Sequence, residues 1–361
     1  MPLPPPDFQV HKQHSDLSRP TRAPGTPYDG PIVDTHAHVM NRVDGGLRGI
    51  LPWMDRTGVE RLILLPTPNE GIFRDREENA RNRRRFLELA GERGGRLCGS
   101  TYLTQWMNGA YRTGYQEAEL EKRLERLRQE LDGGTCLGVG EIGPYHFEKK
   151  PGQAIIEFPL NFEPVLAVAG IAAERNRWLD LHAEPVTPDG RSVEDALFGG
   201  IALLYRRFPN LKLILSHTGM TNPLNARALL ETYPELMMNL KMVRPGGRLT
   251  WDHLEPISNA EDRLYEDWAR LMEDMPERFM VGTDARFGTR QYAGKRYGRT
   301  IAGLRRVLGS LDRPAADLIA HGNARRAFKA SASAPSGEAA TKSPTLGEDR
   351  GRKKRRKKRR P

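Results

Sequence analysis

The stretch IVDTHAHV at residues 32–39 combines branched apolar residues with two histidines that lie two positions apart. Seven more apolar runs follow along the chain: RLILLP (61–66), RLCGSTYL (96–103), CLGVGEIG (136–143), WLDLHAE (178–184), LKLILSH (211–217), LMMNLKMV (236–243) and RFMVGTDA (278–285). Near-continuous apolar runs of this length are typical of strands that are buried on both faces of a parallel sheet. The sequence therefore predicts eight buried parallel strands.

The segments between these runs have helical patterns. Residues 116–131 place Leu120, Leu124, Leu127 and Leu131 four, three and four positions apart, which gives one apolar stripe among charged residues. Less regular helical patterns cover residues 75–90, 163–176, 192–208, 223–233, 260–275, 299–311 and 314–329. Eight strand–helix units in about 300 residues predict an α/β fold of the (β/α)8 TIM-barrel type, in which the functional residues lie at the carboxyl ends of the strands.

The predicted barrel spans residues 31–329 and lies between two arms. Residues 1–30 are Pro-rich and polar, and we expect them to form an extended arm. Residues 330–361 hold eleven Lys or Arg and three Asp or Glu, so that +8 of the chain's net charge of +11 lies there. Segments of this composition cannot bury apolar surface, and both arms are predicted to be disordered.

The basic tail, residues 330–361, has two interpretations. Its cations predict non-specific binding to nucleic acid or to another polyanion, such as an anionic membrane surface. The alternative is a solvated tail that has no part in the chemistry, because Lys/Arg runs occur in many unrelated proteins. The tail contains no aromatic residue, so any affinity for nucleic acid would come without recognition of bases.

Composition also limits the class of protein. The chain has 361 residues, of which 38% are apolar, so it can bury a sizeable core. No apolar run reaches the ~18 residues of a membrane-spanning helix, and the start MPLPPPDFQVHKQH lacks the apolar segment of a secretory signal. Cys98 and Cys136 are predicted to be unpaired thiols, which suits a reducing compartment. We therefore expect a cytoplasmic protein without a transmembrane segment.

Polar residues lie where five of the predicted strands open onto the catalytic face of the barrel. Strand alternation places the two histidines of the first run on the same face. The set comprises His36, His38, Glu141, His182, His217 and Asp284. Imidazole and carboxylate groups together suit Zn²⁺, Mn²⁺, Fe²⁺ or Co²⁺. Burying so many polar groups without a metal would cost several kcal/mol each unless every group were paired, and the set therefore predicts a metal site.

Each of these residues, taken alone, also has a structural interpretation. A single histidine at a strand end is commonly a hydrogen-bonded structural residue, and we assign His146, His253 and His321 to that class. Glu141 alone could be the buried partner of an arginine, and Asp284 alone could cap a helix. The prediction of a metal site depends on all six residues lying at the same end of the predicted barrel.

The order of the motifs resembles that of the amidohydrolase superfamily: HxH on strand one, Glu on strand four, His on strands five and six, and Asp on strand eight. The surrounding sequences IVDTHAHV, LGVGEIG, LDLHAE, LILSHTG and VGTDARF agree with this resemblance. The segment GNARRAF (322–328) resembles the amidohydrolase 2 branch, and GEIG around Glu141 is similar to TatD-type and phosphotriesterase-like hydrolases. The resemblance covers nearly all of residues 31–329.

The resemblance implies a centre of one or two divalent ions, with Zn²⁺ expected first. In a binuclear centre, one ion would be held by His36, His38 and Asp284. The other ion would be held by His182 and His217, and the Glu141 carboxylate would bridge the two ions. Asp284 would also be the catalytic residue that takes a proton from water and passes it to the leaving group. Asp34 is expected either to orient a ligand imidazole or to pack at the base of its strand.

Cationic residues follow the last two predicted strands. Lys241, Arg244 and Arg286 predict a substrate-binding rim that prefers an anionic small molecule, since guanidinium and ammonium groups recognise carboxylate and phosphate. The alternative is that these cations form ordinary ion pairs with surface acids.

These implications predict a metal-dependent hydrolase that activates water for attack on a small ester, lactone, amide or phosphoester. One alternative is a mononuclear decarboxylase of the amidohydrolase 2 type, in which His217 would be an acid/base and Glu141 would have no role. Another is a TatD-like metal-dependent nuclease, to which the basic tail would add DNA affinity. A non-catalytic binding protein on a barrel scaffold is the third alternative, and a homo-oligomer is one option for assembly.

Overall fold

The structure is a computed structural model that describes residues 3–12, 18–39, 46–72, 76–147, 155–241, 254–288 and 295–329. The strands in these residues are β1 (Ile32–Val39), β2 (Val59–Leu64), β3 (Gly94–Gly99), β4 (Gly138–His146), β5 (Ile156–Glu157), β6 (Trp178–Ala183), β7 (Lys212–Leu215), β8 (Leu236–Leu240), β9 (Phe279–Val281) and β10 (Ala285–Phe287).

The helices alternate with the strands along the chain. They are α1 (Gly46–Thr57), α2 (Arg76–Ala90), α3 (Ser100–Thr113), α4 (Glu117–Asp132), α5 (Glu163–Glu174), α6 (Glu194–Arg207), α7 (Pro223–Thr232), α8 (Glu266–Asp274), α9 (Lys295–Leu308), α10 (Arg313–Asp317) and α11 (Asn323–Ala327). A π-helical turn, Leu318–Gly322, joins the last two.

The strands form one sheet in the order β10-β1-β2-β3-β4-β6-β7-β8-β9, and β5 pairs antiparallel with β4 outside this path. All pairs along the path are parallel. The two ends of the order, β9 and β10, are consecutive in the chain, so together they act as one eighth strand that closes the cylinder. The amide of Gly282 donates to the Leu240 carbonyl at 3.0 Å, and that of Asp284 donates to the His36 carbonyl at 2.9 Å. The predicted TIM barrel is confirmed.

The predicted apolar stripe of α4 is also confirmed. Leu120, Leu124, Leu127 and Leu131 are all buried, whereas the charged residues between them form ion pairs along the outer face. The stripe belongs to the large apolar core between the sheet and the surrounding helices.

One predicted strand is shorter than its apolar run. Within the apolar run at 96–103, β3 ends at Gly99 and α3 begins at the next residue. Gly99 has a φ of 100°, which L residues with a side chain rarely adopt. Because Leu103 is apolar and buried against the same core, the end of the strand could not be read from the apolar run.

The prediction of two unpaired thiols is wrong, because Cys98 and Cys136 form a disulfide. Cys98 lies in β3 and Cys136 lies just before β4, and pairing of these strands brings the two Cα atoms to 5.9 Å. This separation is within the range for a disulfide. Thirty-eight residues separate the cysteines in the sequence, so spacing alone gave no sign of the pairing. The argument for a reducing compartment loses its basis.

The described part of the N-terminal arm lies extended against the barrel. Asp7 accepts a hydrogen bond from the Tyr233 hydroxyl at 2.9 Å and pairs with Arg206. The amide of His11 donates to Asn225 Oδ1 at 2.8 Å. Disorder was predicted for both arms, and in these residues the structure shows specific contacts instead. The basic tail lies outside the described residues.

None of the helices in the described residues has the length and apolarity needed to cross a bilayer.

Candidate metal centre

β1 carries two imidazoles to the carboxyl end of the barrel. His38 Nδ1 lies 2.9 Å from the Leu65 carbonyl, which can only accept, so this nitrogen donates. His38 Nε2 then presents its lone pair toward Asp284, whose Oδ1 is 2.9 Å away. A histidine held in this way has the tautomer that a metal ligand requires.

A relay of polar groups orients the second imidazole of β1. Ser216 Oγ donates to Asp180 at 2.9 Å and lies 3.1 Å from His36 Nδ1. Asn239 holds Ser216 and His217 in position: its Nδ2 donates to Ser216 Oγ at 3.2 Å, and its Oδ1 accepts a hydrogen bond from the His217 amide at 2.8 Å. With Nδ1 directed at the serine, His36 Nε2 is directed to the opposite side.

The Glu141 carboxylate lies among the histidines. Its Oε1 is 2.7 Å from His182 Nδ1, 3.4 Å from His36 Nε2 and 3.5 Å from His217 Nε2. Its Oε2 is 3.7 Å from His38 Nε2. The carboxylate and all four imidazoles are buried. The structure therefore brings together all six residues that the sequence analysis named as metal ligands.

Asp284 lies between β9 and β10 with a φ of 50°, a left-handed conformation that is uncommon outside glycine and Asn/Asp. Lys241 Nζ is 2.7 Å from its Oδ2, and Arg286 Nε is 3.8 Å from its Oδ1. His217 has the same left-handed backbone, with φ 61° and ψ 38°. Two of the candidate ligands thus occupy costly backbone conformations, which cluster at functional sites.

Asp34 holds the turn on which Asp284 lies. Its carboxylate accepts from the Thr283 amide at 3.0 Å, from the Thr283 hydroxyl at 2.7 Å and from the Tyr297 hydroxyl at 3.1 Å. Burial raises the pKa of Asp34, although these hydrogen bonds lower it. In the described residues Asp34 contacts the segment between β9 and β10, Tyr297 of α9 and the His36 amide, and both of its predicted roles stay predictions.

The charges of the site influence one another strongly. Burial alone would lower the pKa of His36, but the carboxylates of Glu141, Asp180 and Asp284 raise it to about 9. Burial would raise the pKa of Asp284, yet the charges of Lys241 and Arg286 hold it well below its usual range. The carboxylates thus favour positive charge at their centre.

Several buried nitrogens in the centre have no hydrogen bond. Among the described residues, neither His36 Nε2 nor either ring nitrogen of His217 has a hydrogen-bond partner. A buried polar group in this state costs about 1–3 kcal/mol. The ligand atoms of His36, His38 and Asp284 lie within 4.8 Å of one another, as do those of His36, Glu141 and His217. These donor sets fit a divalent cation, which would satisfy the nitrogens.

His182 is engaged on both sides of its ring. Nδ1 contacts Glu141, and Nε2 lies 2.9 Å from Glu184 Oε1. His146, which the sequence analysis assigned a structural role, has its ring centroid 4.9 Å from that of His182, and His146, His182 and Glu184 form a further group with ligand spacing. Glu184 was missed, although it follows His182 by two positions, the spacing that puts two strand residues on one face.

The predicted cationic rim is only partly described. Lys241 is buried beside Asp284, and Arg286 is 41% exposed at the edge of the centre. Arg244 and His253 lie outside the described residues. His321 lies in the π-helical turn between α10 and α11, in the segment that follows the eighth strand and α9.

A comparison with protein families gives one match. The family model described as Amidohydrolase matches residues 152–330, the segment that carries His182, His217 and Asp284. The second half of the chain is therefore similar to the amidohydrolase family.

A comparison with solved structures gives matches of low sequence identity. A probable 2-pyrone-4,6-dicarboxylic acid hydrolase from Acinetobacter baumannii, crystallised with citric acid bound, is 13% identical, with 82% of this chain and 98% of that chain covered and a TM-score of 0.49. A dihydroorotase from Campylobacter jejuni is 16% identical, with 87% and 86% covered and a TM-score of 0.48. An uncharacterised TIM-barrel protein from Bordetella bronchiseptica is 13% identical, with 77% and 80% covered and a TM-score of 0.48. The comparison with curated proteins gives no significant match.

Proposed function

We propose that this protein is a metal-dependent hydrolase of a small ester, lactone, amide or phosphoester. The observation that carries the proposal is the set of buried, unbonded nitrogens at His36 Nε2 and His217 Nε2, which lie 3.4 and 3.5 Å from the same Glu141 oxygen. Side chains held in this state by β1, β4 and the turn that follows β7 are better explained by a bound cation than by packing.

One or two divalent ions would lie among the six named ligands, with Zn²⁺ first and Mn²⁺, Fe²⁺ or Co²⁺ as the other candidates. When bound, such an ion supplies Lewis acidity and makes water a stronger acid. The ligand atoms of His36, His38 and Asp284 lie within 4.8 Å of one another, and Glu141 lies 3.4 and 3.7 Å from the two histidines, close enough to take part in a second position.

Asp284 would be the group that accepts a proton and delivers it to the leaving group. It is ionised at neutral pH, since Lys241 and Arg286 hold its pKa well below the usual range against the effect of burial. A weak base of this kind holds a proton only briefly, which suits transfer to a more basic leaving group. Lys241 Nζ, at 2.7 Å, fixes Oδ2 of this carboxylate in place, and its Oδ1 lies 2.9 Å from His38 Nε2.

We further propose that the substrate carries a carboxylate or phosphate. Lys241 and Arg286 supply positive charge beside Asp284, and Arg286 is exposed enough to meet a ligand. Arg244 remains a candidate for the same role. Cationic side chains that face a catalytic acid both orient an anionic substrate and keep the acid ionised.

The test is a substrate screen on protein loaded with Zn²⁺ or Mn²⁺, using lactones, esters, dipeptides, phosphoesters and aromatic acids. We expect turnover of one of the hydrolysable classes, loss of turnover after chelation and recovery when the metal is returned. Hydrolysis that is insensitive to chelation, or protein that retains no metal after loading, would contradict the proposal.

A mononuclear decarboxylase is the second candidate function. It is favoured by the position of His182, because both of its ring nitrogens already lie beside carboxylates, of Glu141 and Glu184. In that reaction His217, whose pKa is lowered by burial and by Lys241, would act as the acid/base. Metal analysis separates the two functions: about two ions per chain support the hydrolase, whereas one ion and release of CO₂ from an aromatic acid support the lyase.

A further inference from the structure

A cavity of about 340 Å³ lies on the outer side of the barrel wall, beside α2, α3 and α4. Its floor is the carboxyl end of β3, Leu97–Gly99, together with Pro66, which follows β2. The cavity is at the lower end of the volume range of small-molecule sites. None of its described lining residues belongs to the candidate metal centre.

The lining of this cavity is rich in guanidinium groups. Two glutamates, Glu77 and Glu130, accompany six arginines. The arginines are Arg76, Arg83, Arg84, Arg96, Arg123 and Arg126. We call this cavity the arginine pocket.

Half of these arginines have a close acidic partner. The close pairs are Arg83 with Glu70 at 2.7 Å, Arg123 with Glu119 at 2.5 Å and Arg126 with Glu130 at 3.2 Å. The Arg83–Glu70 pair is buried and bidentate, with a second contact of 2.8 Å, so it forms a fixed part of the wall.

Arg84 and Arg96 are different. Among the described residues, neither has a carboxylate within ion-pair distance, and Arg96 uses only its Nε, which donates to the Thr135 carbonyl at 2.9 Å. Burial lowers the pKa of Arg96, and the like charges of Arg83 and Arg84 lower it further, against the opposing effect of Glu130. Arg83 and Arg84 therefore place positive charge near Arg96.

Aromatic rings hold the other side of the arginine pocket in shape. The Arg126 guanidinium lies 4.0 Å from the ring centroid of Tyr102, and that of Arg123 lies 4.8 Å from the ring centroid of Trp106. The Tyr102 hydroxyl also donates to Glu130 at 3.0 Å. Cations fixed in this way lose little conformational entropy when a ligand binds.

We propose that the arginine pocket binds a small oxyanion with two or more negative charges, held mainly by Arg84 and Arg96 beside the fixed Arg83. Phosphate esters and di- or tricarboxylates share this chemistry, because a guanidinium group can donate two parallel hydrogen bonds to either group. An anion beside Arg84 and Arg96 would supply the negative charge that neither has within ion-pair distance among the described residues. The proposal stands independently of the proposed function.

The test is isothermal titration calorimetry of the full chain with pyrophosphate and with citrate, at about 0.15 M salt so that exposed charges are screened. Arg84→Gln and Arg96→Gln each remove one recognition group and should weaken binding about tenfold or more. Arg81→Gln is the matched control: it removes one charge from α2 at an exposed position that does not line the pocket. It should leave affinity unchanged.

The two probes distinguish the sources of the ligand. Binding of pyrophosphate alone indicates a phosphate-bearing ligand, binding of citrate alone indicates a polycarboxylate, and binding of both supports the shared chemistry. The basic tail and the metal centre are intact in every variant, so binding at either place is insensitive to the substitutions. Equal affinity in wild type, Arg84→Gln and Arg96→Gln overturns the proposal, as does the absence of binding by wild type at millimolar anion. Circular dichroism confirms folding, and Arg96→Lys replaces Arg96→Gln if that variant unfolds.

Discussion

His36 and His38 each use Nδ1 for support and direct Nε2 toward the shared centre. The alternation of a strand predicts that the two rings share a face, and the structure agrees. The supporting groups could not be predicted in the same way. Ser216 and Asp180 contact each other because β6 and β7 are neighbours, and Ser216 reaches His36 of β1 because the sheet is closed into a barrel. No local pattern in the sequence records either contact.

Replacing Asp284 with Asn should lower kcat by about 10² to 10⁴, the range for loss of a general base or acid. Asn keeps the shape of the side chain and tolerates the positive φ at this position, so the fold should be retained. The measurement is steady-state turnover together with a thermal melt and metal analysis. Wild-type turnover in a folded Asp284→Asn protein would remove the assigned role.

Lys241→Met should raise the KM of an anionic substrate more than that of a neutral analogue, since it removes a positive charge 2.7 Å from Asp284. The matched control is Lys212→Met, which removes a lysine at the other end of a strand, where its ammonium lies 5.9 Å from the ring centroid of Trp178. We expect this control to leave both KM values unchanged. An equal rise for charged and neutral substrates would show that Lys241 does not read substrate charge.

At the level of elements, the apolar runs located every barrel strand, because parallel strands covered on both faces need apolar residues throughout. The runs do not show where a strand gives way to a helix, as at Gly99, since the first turn of α3 is also buried. The helix α1 and the hairpin strand β5 were not predicted. The pairing of Cys98 with Cys136 depends on the β3–β4 register, which a single sequence does not contain.

The disulfide gives a stability prediction. Replacing both Cys98 and Cys136 with Ala should lower the free energy of unfolding by about 2–4 kcal/mol, the usual effect of opening a closed loop of this kind. Urea unfolding of wild type and variant measures the difference. Reductant should destabilise wild type and leave the double variant unchanged. If reductant has no effect on wild type, the two cysteines are not joined in solution.

At the level of the whole molecule, the N-terminal arm is part of the structure around the barrel. Arg19 pairs with Glu255 at 2.5 Å and lies 3.9 Å from the ring centroid of Tyr265, and Arg22 pairs with Glu266 and Glu273 at 3.0 and 2.8 Å. These contacts hold the chain that leads into α8. The Pro-rich composition of residues 1–30 could not indicate ion pairs with residues more than two hundred positions away.

Deleting residues 330–361 should leave kcat and KM for a small substrate unchanged, because all six candidate ligands lie within residues 31–329. The same deletion should reduce affinity for duplex DNA and flatten its dependence on salt, since the tail holds most of the net charge. Parallel turnover and DNA-binding assays on the two proteins measure both effects. Loss of small-molecule turnover on deletion would give the tail a role in the chemistry, and a steep loss of nucleolytic activity would favour the nuclease alternative.

The eighth strand of the barrel is interrupted at Gly282–Asp284, where the Gly282 amide donates to β8 and the Asp284 amide donates to β1. Substitutions in these three residues are therefore expected to lower stability and turnover together. Loss of activity in a natural variant with a substitution at residues 282–284 assigns no catalytic role to these residues until the folded fraction of the variant is measured. At Asp284, residues that tolerate a left-handed backbone, Asn above all, are the few substitutions expected to keep the barrel closed.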